Sequence, residues 1–377
     1  MPGTVMNSTR VALLLSLSLS PFACSSPAAP DDVPMVADSG DNDAAVSDTP
    51  KPGDVVGGDA VGGDVVMPPA YALPAGHLLY RAAGPGSTTS AQLASTGPSG
   101  VGAARELVSW STSTAGTTYE LSSVAFSSQA NEVLTGLYAN RAMRITYTLS
   151  RMDYMGAATR DLVEVVTRGA IYSIVAGPTR VFYATRESST VDDRTGRIFS
   201  LPLDAVASMN PVPSQLGAAE DSGCDPTQLF LTSEAPPRLI TNFNGGSGCM
   251  RPSVSVYAAD GVSAAPAGVT GAGMASPFLG PNLDFYALAA ASSDMMRIDV
   301  STVGLPPAAH SMAMMVGSLS SADQFASPLV LGSPQVVLFA RGAQIYAWEY
   351  RRAGAMPVLI HTAADGMAVR EIHWRAM

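Results

Sequence analysis

The feature that most restricts this chain is a repeat of about fifty residues. In each copy an apolar strand runs into a turn holding Pro or Ser, and a second strand of aromatic and β-branched residues follows. A variable Gly/Ser loop then leads to a third strand. One copy is Ser276-Pro277-Phe278-Leu279-Gly280-Pro281-Asn282-Leu283-Asp284-Phe285-Tyr286-Ala287, followed by Met296-Arg297-Ile298-Asp299-Val300. A second runs from Tyr172 through Pro178 to Ala184 and resumes at Gly196–Leu201, and a third runs from Pro328 through Pro334 to Ala340 and resumes at Gln344–Trp348. Weaker copies begin at Val124, Pro236 and Leu73. Turn anchors at 74, 128, 178, 237, 281 and 334 are spaced 54, 50, 59, 44 and 53 residues apart.

That spacing is the length of one four-stranded propeller blade. Residues 71–377 are therefore expected to form an all-β propeller of six four-stranded blades. A pair of β-sandwiches would need a linker near the middle, for which 208–224 is the one candidate, and a β-helix would need a hexapeptide or nonapeptide period that is absent. Composition agrees: 35 Gly, 28 Pro and 14% charged residues suit short strands joined by turns better than charged helix faces. Val369-Arg370-Glu371-Ile372-His373-Trp374 alternates like a strand and has no turn and strand after it, whereas the first anchor, Pro74, has no strand before it. The expectation is that 369–374 supplies the innermost strand of the first blade and closes the ring, with Ile372 and Trp374 on one docking face.

The run Phe278-Leu279-Gly280-Pro281-Asn282, then Asp284-Phe285-Tyr286-Ala287 and Met296-Arg297-Ile298-Asp299, resembles the repeat of TolB-type, WD40-like propellers. The resemblance implies the propeller fold for most of 71–377; it implies no particular activity.

The N-terminus reads as an address. Arg10 precedes the apolar run Val11–Leu19, which is too short to span a bilayer and fits an export signal over 1–24. Ala23-Cys24-Ser25 after that run resembles a bacterial lipobox, which implies diacylglyceryl attachment at Cys24, and Ser25 suits an outer-membrane, periplasmic or cell-surface destination. Ordinary signal-peptidase cleavage, giving a freely secreted protein, stays open. Residues 25–70 have no aromatic residue and contain the five-residue Gly-Asp repeats at 53, 58 and 63, so they read as a disordered Asp/Gly/Pro-rich tether. Asp38-Ser39-Gly40-Asp41-Asn42-Asp43 lacks the Gly and Glu spacing of a calcium loop.

Nine aspartates of that tether against Lys51 hold −8 of the formal −10, so the propeller region is near neutral. With no basic patch, nucleic acid is excluded as a partner. Cys224 and Cys249, each in a Ser-Gly-Cys triplet, are expected to pair as a disulfide closing about 25 residues, worth roughly 3 kcal/mol on the chain-entropy model. Two free thiols or a metal pair stay open. No catalytic motif, phosphate loop or dinucleotide fingerprint is present, so no catalytic residue, metal or cofactor is assigned. Asp192, Asp193, Asp221, Asp225, Glu234 and Asp260 stand in expected loops, where paired carboxylates would serve glycoside chemistry but solvated acids are the rule. Met295, Met296, Met312, Met314 and Met315 read as gap-filling residues. The expected function is a monomeric envelope-anchored or secreted binding or scaffold module for a protein, peptide or glycan. The alternative is a secreted hydrolase or lyase using the loop acids.

Overall fold

Short β-branched and aromatic runs, punctuated by Gly, Pro and Ser, fold here as strands throughout. The computed structural model describes residues 71–377 except 86–87, 112–116, 142–143, 158, 167–168, 189–193, 217–223, 233–236, 246–253, 259–266, 270–273, 281–283, 290–293, 300–313, 316–324, 332–335, 351 and 353. The expected signal, Cys24 and the tether lie outside the described residues. Helix among the described residues is confined to short 3-10 turns such as Ala207–Met209 and Ala364–Gly366, and none is long and apolar enough to cross a membrane.

The first sheet holds β1 (Gly76–Ala83), β2 (Thr89–Gly97), β3 (Gly100–Val101) and β4 (Arg105–Trp110). The second holds β5 (Thr117–Phe126), β6 (Glu132–Arg141), β7 (Arg144–Asp153) and β8 (Arg160–Val166). The third begins with β9 (Ala170–Ala176), β10 (Arg180–Ser188), β11 (Arg194–Pro202) and β12 (Ser214–Leu216). It continues with β13 (Cys224–Leu231), β14 (Arg238–Gly245), β15 (Val254–Ala258) and β16 (Ala267–Val269). A fourth sheet is β17 (Met274–Leu279), β18 (Asp284–Ala289), β19 (Asp294–Asp299) and β20 (Met314–Met315). The fifth is β21 (Phe325–Leu331), β22 (Val336–Arg341), β23 (Gln344–Trp348) and β24 (Val358–Thr362). The last strand, β25 (Ala368–Ala376), returns to the first sheet as its innermost member.

The protein is thus an all-β propeller, but with five sheets where six separate blades were expected. The reason is a single parallel bridge, Thr195↔Cys224, which joins β11 to β13 and fuses the third and fourth repeats into one eight-stranded sheet. The two halves of that sheet also pack on each other, burying Phe182 and Ile198 against Leu229, Leu239 and Tyr257.

Ring closure by the C-terminal strand is as expected. β25 pairs antiparallel with β1, placing Ile372 opposite Tyr80 and Trp374 opposite Leu78. Ile372 is buried and Trp374 packs beside it in a core shared by the first and fifth sheets with Leu78, Leu338 and Ile345. The Trp374 indole donates to Thr96 Oγ1 at 2.9 Å, and Thr96 donates on to the Pro74 carbonyl at 2.8 Å. At Gly76 the fit leaves no room for a side chain: a Cβ there would stand 2.6 Å from the Trp374 ring.

The second strand of a repeat is buried on both faces, so it reads as continuous rather than alternating apolar sequence. Leu78 faces the fifth-sheet core while Leu79 faces Leu121 and Val133 of the second sheet. Likewise Tyr183 packs with Leu134 and Tyr147, and Phe182 packs the other way.

Each innermost strand carries one extra residue at the same level. The ladder slips at Ser122 in β5, Tyr172 in β9, Thr227 in β13 and Arg370 in β25, and between Ala275 and Phe278 in β17 and Ala326 and Leu329 in β21. Pro226 adjoins one such slip, and Pro277 and Pro328 fall inside two others, where a missing backbone donor is tolerated. Ser276-Pro277 of the repeat motif is therefore a β-bulge, a device that re-aims the next side chain. Anchors 128, 178 and 237 fall in the links between an innermost strand and its neighbour, and Pro74 precedes β1.

Two predictions follow from the closure. Ile372→Ala should lower unfolding stability by about 3 kcal/mol in urea titration, the usual cost of emptying a buried aliphatic site. The second concerns acid. Tyr80 hydroxyl and His361 Nε2 sit 3.0 Å apart, and burial pushes Tyr80 up to about 12 and His361 below its ordinary value. Burial, reinforced by Arg375, also lowers His77. A depressed imidazole binds fewer protons folded than unfolded, so stability is present above the ordinary value of about 6.5 and falls as pH drops below it. The melting temperature should decline below that pH, and His361→Gln, which keeps a partner for Tyr80, should soften the decline without abolishing it.

Candidate functional site

The innermost strands pair on one long side and turn the other toward the axis. There they enclose a channel of about 330 Å³, within the range of small-molecule sites. Its wall draws on β5, β9, β13, β17, β21 and β25, with apolar contributions such as Phe126, Ile174, Leu229, Leu279, Leu329 and Trp374. Ser173, Gln228, Glu371 and His373 supply the polar side chains.

Glu371 stands just after the β25 bulge, and its side chain is 6% exposed. Ser123 Oγ donates to its Oε1 at 2.9 Å, and the Val124 amide donates to its Oε2 at 2.9 Å. Arg81 Nε lies 3.6 Å from Oε2, and His373 Nε2 lies 3.1 Å from Oε1. Oε1 thus meets Ser123 and His373, while Oε2 accepts from Val124 and has Arg81 as an ion-pair partner beyond hydrogen-bond distance. Burial lowers the Arg81 guanidinium from its ordinary value, while Glu371 and then Glu120 oppose that shift. Arg81 also donates to the Leu121 carbonyl at 3.2 Å. The network therefore ties β1 and β25 of the first sheet to β5 of the second. Arg375 adds a second tie, donating at 2.8 Å to the carbonyls of Ser127 and Gln129.

The bulge explains the reach. Ser173, just after the β9 bulge, accepts from the Leu229 amide of β13 at 3.0 Å, and Leu229 is the second residue past that strand's own bulge. Glu371 meets Val124 in the same relation. Two of the inter-strand links around the ring are thus copies of one geometry, with a carboxylate in one and a hydroxyl in the other.

Chemically the arrangement orients rather than reacts. Ser123 donates to Glu371 and not to His373, so the three do not form a nucleophilic relay, which needs the imidazole in the middle. A fully solvated base is also absent from this cluster, because the Glu371 side chain is 6% exposed and held by Ser123, Val124, Arg81 and His373. What it does is fix His373: a carboxylate can only accept, so Nε2 carries the proton.

Cys224 opens β13, opposite Gly245, while Cys249 lies outside the described residues. Asp225 is on β13 opposite Asn244, whereas Asp192, Asp193, Asp221, Glu234 and Asp260 lie outside the described residues, as does Met312. Met295 of β19 pairs with Met314 of β20. No group of three or more His, Cys, Asp or Glu suited to a metal occurs among the described residues. Sequence reasoning missed Glu371, Arg81 and Ser123 as a set. The available signal was a glutamate and an arginine in strands whose neighbours must be buried.

Glu371→Ala should cost about 4 kcal/mol of stability, since it strands a buried cation and two donors. Pairing Glu371→Met with Arg81→Met should recover most of that loss in the same urea titration, because an apolar filling replaces an ion pair with little penalty.

No family model matches the chain, and no curated protein matches it. Solved structures similar to it include a prolyl endopeptidase, at 11% identity and a TM-score of 0.44, with 76% of this chain and 43% of that one covered. This chain therefore spans less than half the length of that enzyme. It is also similar to an oligogalacturonate lyase in complex with manganese, at 11% identity and a TM-score of 0.41, with 80% and 89% covered. An α-L-arabinofuranosidase from Fusarium graminearum, in complex with an iminosugar inhibitor, matches at 9% identity and a TM-score of 0.37, with 70% and 88% covered.

Proposed function

We propose that this chain is an exported binding propeller, held at the cell envelope by a lipid on Cys24, which receives a small ligand in its central channel. The observation that carries the reading is the channel itself, about 330 Å³ with mainly apolar walls. The carboxylate that lines it is committed to four partners, which favours recognition over acid–base hydrolysis at this spot. The resemblance of the repeat to TolB-type propellers supports an envelope setting, as does the lipobox-like Ala23-Cys24. The tether at 25–70 would give the propeller reach from the membrane, and a Cys224–Cys249 disulfide would suit the oxidising compartment.

Two measurements test the two halves of the proposal. Cells expressing the full chain should incorporate radiolabelled palmitate, and Cys24→Ala should lose the label and release the protein to the soluble fraction. Label absent from both versions would remove the anchor and leave a secreted protein. For the channel, Trp374 is a built-in reporter. Naphthalene-type fragments should raise the melting temperature and quench fluorescence that Trp374→Phe lacks. Turnover of an oligosaccharide that is lost on replacing Asp225 or Asp260 would instead establish the hydrolase or lyase alternative.

A further inference from the structure

We infer that the channel recognises a ligand with an apolar body and one hydroxyl or amine group, whose hydrogen is accepted by Nδ1 of His373. The inference rests on the reading of the channel as a binding site and deepens it. His373 lines the channel, and its side chain is 23% exposed, so it is neither buried in the wall nor free in solvent. Its Nε2 is committed to Glu371 at 3.1 Å, and Glu371 is itself held by Ser123, Val124 and Arg81. The ring is thereby fixed in tautomer and orientation, as a carboxylate fixes an imidazole at many functional sites. With the proton placed on Nε2 by Glu371, Nδ1 is the ring's acceptor, and it makes no hydrogen bond among the described residues.

The rest of the channel gives that lone pair its selectivity. Trp374 flanks His373 on the same strand, while the partly exposed Phe126 and Leu329 come from other strands. An apolar body displaces water from these walls at a gain. Nδ1 of His373 then discriminates, because an acceptor that a bound apolar body cuts off from water is costly to leave without a donor. The neighbouring carboxylate is already paired with Arg81 and held by Ser123, Val124 and His373, so it offers little to a ligand cation.

The test uses two probes of nearly equal shape, 2-naphthol, which carries a hydroxyl, and 2-methylnaphthalene, which carries none. Affinities for the full chain are measured by quenching of Trp374 fluorescence. 2-Naphthol should bind roughly tenfold more tightly than 2-methylnaphthalene, the effect of one well-made hydrogen bond. His373→Phe should remove that difference while leaving 2-methylnaphthalene binding in place. His373→Gln, whose amide oxygen still accepts, should restore part of it. Equal affinity of the wild-type chain for both probes would overturn the recognition by His373 while the channel reading survives. Binding of neither probe would overturn the channel reading and the inference with it. Far-ultraviolet circular dichroism of both variants, matched to the wild type, ties any loss to the missing acceptor and not to the fold.

Discussion

The rest of the structure depends on the pairing of β25 with β1. A propeller without that clasp would expose two strand edges and the apolar faces of its first and last sheets. Edges of that kind recruit other chains. Here the clasp is made three ways at once: a main-chain ladder, the burial of Ile372 and Trp374 against Leu78 and Tyr80, and the polar ties of Glu371 and Arg375. The ladder alone would tolerate sliding. The side chains do not, because a shift of one residue would turn Ile372 toward Ser123 and Glu371 into the apolar core.

That argument gives the buried ion pair its place. Arg81 and Glu371 add little net stability over an apolar filling of equal volume. Their contribution is registry: only one alignment of β25 lets the carboxylate meet Ser123, Val124 and Arg81 together. The same alignment presents His373 to the channel, so the device that closes the ring also sets the polar feature of its interior.

Much of this was legible in the sequence, and the exceptions have physical causes. The fifty-residue period, the turn anchors and the closing strand follow from patterns local in sequence, and β11, β19 and β23 stand where the third strands of the repeat were read. The fusion of two repeats was not legible, since it hangs on one bridge, Thr195↔Cys224, with no residue signature. The bulges were not read at all, because nothing local to Ser276-Pro277 sets a slipped ladder apart from regular strand. The Glu371 network was hidden for a different reason. Arg81, Ser123 and Glu371 are far apart in the chain, and only the ring brings them together. The loop acids and the cysteine pair, by contrast, stay as the sequence left them.

The clasp also shapes how the ring is made. The Trp374 indole and its partner Thr96 are separated by 278 positions, so the contact that completes the first sheet is among the most remote in the chain. Contacts of such separation form late, because the loop entropy must be overcome before they return anything. The first sheet therefore waits, missing its innermost strand, until the final nine residues of β25 arrive. Of all the sheets it is the earliest to be synthesised and the last to be complete, and the channel has no wall at His373 until that moment.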